Sequence, residues 1–151
     1  MTASTHAAAL SIAPMDDADV AGVIALWQAC DLTRPWNDPA ADIALARRGP
    51  NSAILIGRDG DALIATALVG HDGHRGWVYY VAVDPARREK GFGRAIMSAA
   101  EDWLRARGIE KLQLMVRGDN SKVRDFYDSL GYLEQERVLF AKWLDGRAPT
   151  P

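Results

Sequence analysis

The sequence predicts an α/β (α+β) fold, a mixed central sheet of six to seven strands flanked by about four helices. Three observations carry that expectation. Short runs rich in β-branched and aromatic residues alternate with segments of helical periodicity along most of the chain. Asp59-Gly60-Asp61 sits between two apolar runs, which is a hairpin signal. The chain has 151 residues with no internal repeat or linker, which suits one domain over 1–151 with one core and loose tails at about 1–7 and 145–151.

In chain order, a first strand is expected over Ala8–Ala13, with Leu10 and Ile12 on one face and Pro14 ending it. Asp16 or Asp17 then caps a helix whose Val20, Val23, Ile24 and Trp27 recur at helical spacing. Cys30 to Pro39 breaks that period with two prolines, and a second helix covers Ala40–Arg48. Ser52–Arg58 and Ala62–Gly70 read as strands around the hairpin turn, and His71 to Gly76 as a further turn. Gly76–Val83 is rich in aromatic and β-branched residues and reads as a buried strand closed by Asp84-Pro85. From Gly91 a long helix places Phe92, Ala95, Ile96, Ala99, Ala100, Trp103 and Leu104 on one face, and Gly108 ends it. Lys111–Arg117 alternates as a strand. Asn120 caps a last helix with Val123, Phe126, Tyr127 and Leu130, ended by Gly131. Tyr132–Glu134 and Glu136–Leu144 read as a final pair of strands.

Bulk properties exclude several classes. A net charge of -2 with dispersed basic residues leaves no electrostatic footprint for nucleic acid. One cysteine, Cys30, permits no internal disulfide and suits a reducing compartment. No apolar run is long enough to cross a bilayer, and Met1 to Ala9 lacks the pattern of a signal peptide. The expected location is cytoplasmic, with no membrane partner.

The most informative segment joins the third helix to the strand before it. Arg88-Glu89-Lys90-Gly91-Phe92-Gly93-Arg94 opens that helix. A helix N-terminus offers unpaired N–H groups and the positive end of a dipole. Gly91 and Gly93 remove side chains, so an anion can approach the backbone, and Arg88, Lys90 and Arg94 add positive charge. The same glycines also suit a tight strand-to-helix turn without a ligand. The dinucleotide fingerprint needs a third glycine where Ile96 stands, and the nucleotide P-loop needs Gly-Lys followed by Ser or Thr, which is absent.

Arg88-Glu89-Lys90-Gly91-Phe92-Gly93 resembles the coenzyme A loop of the GNAT superfamily, the GCN5-related N-acetyltransferases: Arg or Gln, two residues, Gly, one residue, Gly or Ala. The preceding Val81-Ala82-Val83-Asp84-Pro85 and the long helix after it fit the same pattern. Asn120 with Phe126-Tyr127-Asp128-Ser129-Leu130-Gly131-Tyr132 is similar to the family's second signature. Cys30-Asp31-Leu32-Thr33-Arg34-Pro35-Trp36-Asn37-Asp38-Pro39 resembles a bacterial subgroup, the YpeA-type acetyltransferases. The resemblance covers about residues 8–144 and is specific for fold and cofactor, not for the acceptor.

The resemblance implies the GNAT fold with a mostly antiparallel sheet, acetyl-CoA as co-substrate, no metal, an amine acceptor and, as is common in the family, a homodimer. It implies that the backbone of Val81, Ala82 and Val83 pairs with the pantetheine arm and that Arg88, Glu89, Lys90, Gly91, Phe92, Gly93 and Arg94 cradle the pyrophosphate. Asn120 is expected near the arm. Tyr127 is the catalytic candidate: a phenol near ~10 can protonate a leaving thiolate whose thiol has a pKa near ~8.5. Spacing alone favours a Tyr127 that merely packs beside Val123 and Leu130, and the motif match reverses that. Arg34, Trp36, Asn37 and Asp38 sit on a loop that borders the acceptor cleft in the family, where Asp38 could attract a cationic amine and Arg34 could hold an acidic group. Pro35, Trp36 and Pro39 also serve simply to stiffen a turn.

The departure lies on the strand before the loop. Some relatives carry a glutamate there as general base, and Gly76–Val81 has no carboxylate. Asp72, His74 or a water chain remain for that role. His71 and His74 lack a third ligand nearby and read as turn residues, and Cys30 as a small buried hydrophobe. The expected function is an acetyl-CoA-dependent N-acetyltransferase working by direct transfer in a ternary complex. The alternative is a non-catalytic acyl-CoA sensor. An NAD oxidoreductase is disfavoured by Ile96.

Overall fold

The structure is a computed structural model that describes residues 10–150. The expected N-terminal tail, the first two residues of the expected first strand (Ala8 and Ala9) and Pro151 lie outside the described residues. Two compact units divide the chain, Met1–Leu114 and Met115–Pro151, and each is described by itself.

The first unit carries the sheet. Its order is strand β1 (Ser11–Pro14), a 3-10 turn (Asp17–Asp19), helix α1 (Val20–Ala29), helix α2 (Pro39–Ala46), then strands β2 (Ser52–Asp59), β3 (Ala62–His71) and β4 (Gly76–Val83). A second 3-10 turn (Pro85–Arg87), helix α3 (Phe92–Arg105) and strand β5 (Leu112–Gln113) complete it. The sheet runs β1-β2-β3-β4-β5, with antiparallel pairing up to β4 and parallel pairing of β4 with β5. The architecture is the expected mixed α/β one, mostly antiparallel.

The two faces of the sheet are covered by different helices. Side chains alternate along a strand, so Ile54 and Ile56 share the face that packs with Val23, Leu26 and Trp27 of α1 and Ile43 and Ala46 of α2. The other face, with Leu55, Ala65, Ala67 and Val69 fully or nearly fully buried, receives α3. The apolar stripe of α3 is the one its spacing predicts: Phe92, Ile96, Met97, Ala100 and Leu104 are all buried. Gly76 marks the closest approach, because a Cβ there would lie 2.4 Å from Leu104 Cδ1.

Three boundaries differ from the sequence expectation. The sheet has five strands among the described residues, not six to seven. Lys111–Arg117 supplies only Leu112–Gln113, because the ladder with β4 covers just Gly76 and Trp77, and alternation without a partner makes no strand. Residues 132–144 form no strand at all. Glu134-Gln135-Glu136 lacks a residue suited to a tight hairpin turn, and Leu133, Val138, Leu139, Phe140 and Leu144 stand exposed. The second unit keeps its expected helix, α4 (Ser121–Ser129), in which the Asn120 side chain accepts from the Val123 N–H at 3.2 Å.

Candidate functional site

The turn from β4 into α3 is built residue by residue. Asp84 donates its N–H to the Ile64 carbonyl at 2.8 Å, tying the end of β4 to β3. Its side chain accepts from the Ala86 N–H at 3.0 Å and caps the 3-10 turn that Pro85 begins. Arg87 turns back to Asp59 at 2.7 Å and is thereby withdrawn from the loop mouth. Glu89 and Gly91 then adopt left-handed backbone, with φ of 65° and 83°.

Gly91 is the N-cap of α3, so no side chain satisfies the amides of the first turn. A Cβ at Gly91 would meet nothing within 4 Å, so the glycine is required by its φ and not by crowding. Phe92 is 4% exposed and pins the helix start into the core, while Gly93 is half-buried. Arg88, Lys90 and Arg94 are exposed around this N-terminus, and neither Arg88 nor Lys90 has an ion-pair partner among the described residues. Amides without a capping side chain, a helix dipole and exposed cations are features that suit an anion. Glu89 contributes its backbone turn, and its exposed carboxylate is the one negative charge between Arg88 and Arg94.

The second part of the site is the edge of β4. Among the described residues the ladder with β5 covers only Gly76 and Trp77, so no strand of this sheet pairs with the outer edge of Val78–Val83. β4 also carries a bulge. Thr66 pairs with Ala82 and Leu68 with Tyr79, so Tyr80 and Val81 together oppose Ala67. Tyr80 takes φ of 51°, its ring stacks on Trp27 at 3.7 Å with 7° between planes, and its hydroxyl donates to Asp42 Oδ2 at 2.7 Å. Burial and the neighbouring Asp42 carboxylate push the Tyr80 phenol well above its usual range.

The other expected residues fall in several places. Arg34 spends its guanidinium on its own loop, donating to the carbonyls of Asp31 at 2.8 Å and Thr33 at 2.9 Å. Asp38 caps α2, accepting from Ala40 N–H at 3.0 Å and Ala41 N–H at 3.3 Å. Trp36 is half-buried and Asn37 exposed. The Cys30 thiol is half-buried and donates to the Val83 carbonyl at 3.3 Å. In the second unit the Tyr127 ring packs edge-on against Phe126 at 4.9 Å and Tyr132 at 5.8 Å, and burial pushes its phenol up to about 12.

Among the candidate bases, Asp72 accepts from Arg75 N–H at 2.7 Å, His74 N–H at 2.9 Å and Trp77 Nε1 at 3.2 Å. These donors, the Arg75 amide first and then the Trp77 indole, lower its pKa to about 2, which makes it a poor proton acceptor. His71 accepts from Gly73 N–H at 3.1 Å through Nδ1, as a turn residue does. No group of three His, Cys, Asp or Glu side chains suited to a metal ion occurs among the described residues. No helix among them is long and apolar enough to cross a membrane.

The model of the Acetyltransferase (GNAT) family matches residues 21–132, which includes β4, the glycine-led turn and all of α4. The chain belongs to the GNAT acetyltransferase family. An acetyltransferase of Yersinia enterocolitica is 39% identical over 135 residues, covering 89% of this chain and 96% of that protein. One from Sodalis glossinidius is 42% identical over 121 residues, covering 80% and 85%. Among solved structures, AAC(6')-Iy in complex with the bisubstrate analogue CoA-S-monomethyl-acetylneamine superposes with a TM-score of 0.77 at 18% identity, over 89% of this chain and 97% of that one. The ribosomal-protein-S18-alanine N-acetyltransferase of Escherichia coli gives 0.72 at 24%, over 91% and 87%. The fold of this GNAT chain is thus shared with enzymes, and its class is that of an acyltransferase.

Sequence reasoning passes over one group of residues in this GNAT chain: Trp27, Asp42, Thr66 and Tyr80. The available signal is Thr66, a lone hydroxyl inside the apolar run Ile64-Ala65-Thr66-Ala67-Leu68. A buried hydroxyl needs a partner, and the need for one points to a neighbour that the run itself cannot supply.

Proposed function

We propose that this chain transfers an acetyl group from acetyl-CoA to a primary amine, on a small molecule or on a protein N-terminus or lysine, by direct transfer in a ternary complex. The observation that carries the reading is the start of α3: a left-handed glycine N-cap with no capping side chain, flanked by Arg88 and Lys90 without ion pairs. Here the diphosphate accepts hydrogen bonds from the first-turn amides, and Arg88, Lys90 and Arg94 supply charge. The pantetheine arm lies along the backbone of Val81, Ala82 and Val83 as an added strand. Asn120 keeps its Oδ1 on the α4 cap and has its amide N–H groups left to turn toward the arm. The family match runs from 21 to 132 across both compact units, which supports reading them as one N-acetyltransferase domain.

In the reaction the neutral amine attacks the thioester carbonyl carbon, the N–C bond forms, and the C–S bond breaks. A backbone N–H near Val81 stabilises the developing oxyanion, the amine proton passes to water, and Tyr127 protonates the departing thiolate. Asp72, with its pKa near about 2, is excluded as the base by this chemistry. Arg34, Trp36, Asn37 and Asp38 border the acceptor, positioned by the capping and loop bonds described above. The amine class is supported by two structural relatives whose names are those of an aminoglycoside and an alanine N-acetyltransferase.

The test is thiol release from acetyl-CoA with neamine, spermidine and an alanine-terminated peptide, and CoA binding by calorimetry. Gly91→Glu places a charge and a Cβ on left-handed backbone at the diphosphate seat and is expected to weaken CoA roughly tenfold or more. Gly91→Asn, which tolerates that backbone, is expected to weaken it less. Unchanged affinity in Gly91→Glu overturns the seat. The absence of a carboxylate on β4 favours one second reading, an acyl-CoA sensor, which predicts CoA binding without thiol release on any amine.

A further inference from the structure

The bulge of β4 is held by side chains that neither the diphosphate seat nor Tyr127 uses. A tyrosine at φ of 51° is strained, and such a residue persists only where its surroundings fix it. Tyr80 is fixed at three points. Its carbonyl accepts from Thr66 Oγ1 at 2.8 Å, its ring stacks on Trp27, and its hydroxyl is held by Asp42. Thr66 is 0% exposed, and its oxygen accepts from Trp27 Nε1 at 3.0 Å. Because the indole can only donate, the Thr66 proton is directed to the Tyr80 carbonyl. Residues from α1, α2 and β3 therefore converge on Tyr80, and Thr66 holds the carbonyl of the peptide that joins it to Val81.

That peptide is also where the chemistry falls. An extra residue in a strand exchanges the sides to which the following N–H and C=O groups point. Without it Val81 would continue the ladder register set by Leu68 and Tyr79. We propose that Thr66, Trp27 and Asp42 are positioning residues that lock the Tyr80 bulge and aim the Val81 amide at the thioester carbonyl. This inference rests on the acetyl-transfer reading above and names the residues that set its oxyanion donor.

Thr66→Val keeps the shape and removes the hydroxyl; Thr66→Ser keeps the hydroxyl. With acetyl-CoA and the best amine of the panel, Thr66→Val is expected to lower kcat about tenfold or more, since misplaced reacting groups cost rate. Its KM for acetyl-CoA is expected to stay within about twofold, because uniform binding is untouched, and Thr66→Ser is expected to restore most of kcat. In the protein without ligand, the Val81 amide resonance is expected to shift in Thr66→Val relative to wild type, because the direction of that N–H changes. Should Thr66→Val not fold, Asp42→Ala and Tyr80→Phe, which each remove the same half-buried bond, carry the same kcat and resonance expectations at smaller size. A folded variant set with wild-type kcat and a wild-type Val81 amide resonance overturns the lock alone. A wild-type protein that releases no thiol with any amine overturns the acetyl-transfer reading and with it the purpose of the lock.

Discussion

On the proposed mechanism Tyr127 carries the leaving-group step on a single hydroxyl, and its environment keeps that hydroxyl protonated. Burial among the rings of Phe126 and Tyr132 pushes its pKa up to about 12. An acid works when protonated, so Tyr127 is competent at every pH below that value and is lost only as pH rises through it. Tyr127→Phe is therefore expected to lower kcat about 100-fold, uniformly between about pH 7 and about pH 10, the low end for general acid catalysis because so weak an acid is poorly matched to neutral pH. Steady-state rates across that range check it, and full activity in Tyr127→Phe at all pH values removes Tyr127 from the mechanism. Tyr127 was legible in sequence as a candidate through the motif around it. The pKa was not, because it depends on which rings close over the phenol.

Elements were legible where their pattern is local. The stripe of α3 repeats within its own helix, and Phe92, Ile96, Ala100 and Leu104 are buried as spaced. Ile96→Ala is expected to cost about 2–5 kcal/mol by leaving a cavity under β3 and β4, whereas Leu144→Ala, at a side chain 92% exposed, is expected to stay within about 0.5 kcal/mol. Urea unfolding midpoints compare the two, and equal shifts would contradict the packing of α3. Strands were less legible, because a strand is made by a partner distant in sequence. Leu114 and Val116 alternate as well as Leu112 does, yet only Leu112 and Gln113 find β4. The bulge was invisible for a related reason: Trp77 to Val83 reads the same with or without an extra residue, and only the register against β3 reveals it.

At the scale of the whole molecule, charge argues for a local seat. The chain carries a net charge of -2, so its overall field does not draw in a polyanion such as CoA. On the proposed reading the attraction comes from the short-range group at α3, where Arg88, Lys90 and Arg94 surround amides that no side chain caps. These cations are exposed and are screened by salt, while the amides and the β4 edge act by hydrogen bonds that salt touches little. Between ~0.1 M and ~1 M salt the screening length falls from about 10 Å to about 3 Å. The Kd of CoA is therefore expected to rise severalfold over that range, while the Kd of pantetheine, which lacks the diphosphate, stays constant. Calorimetry at both salt levels measures the difference. If CoA and pantetheine respond alike, the exposed cations contribute no diphosphate attraction, and the seat reduces to its backbone amides.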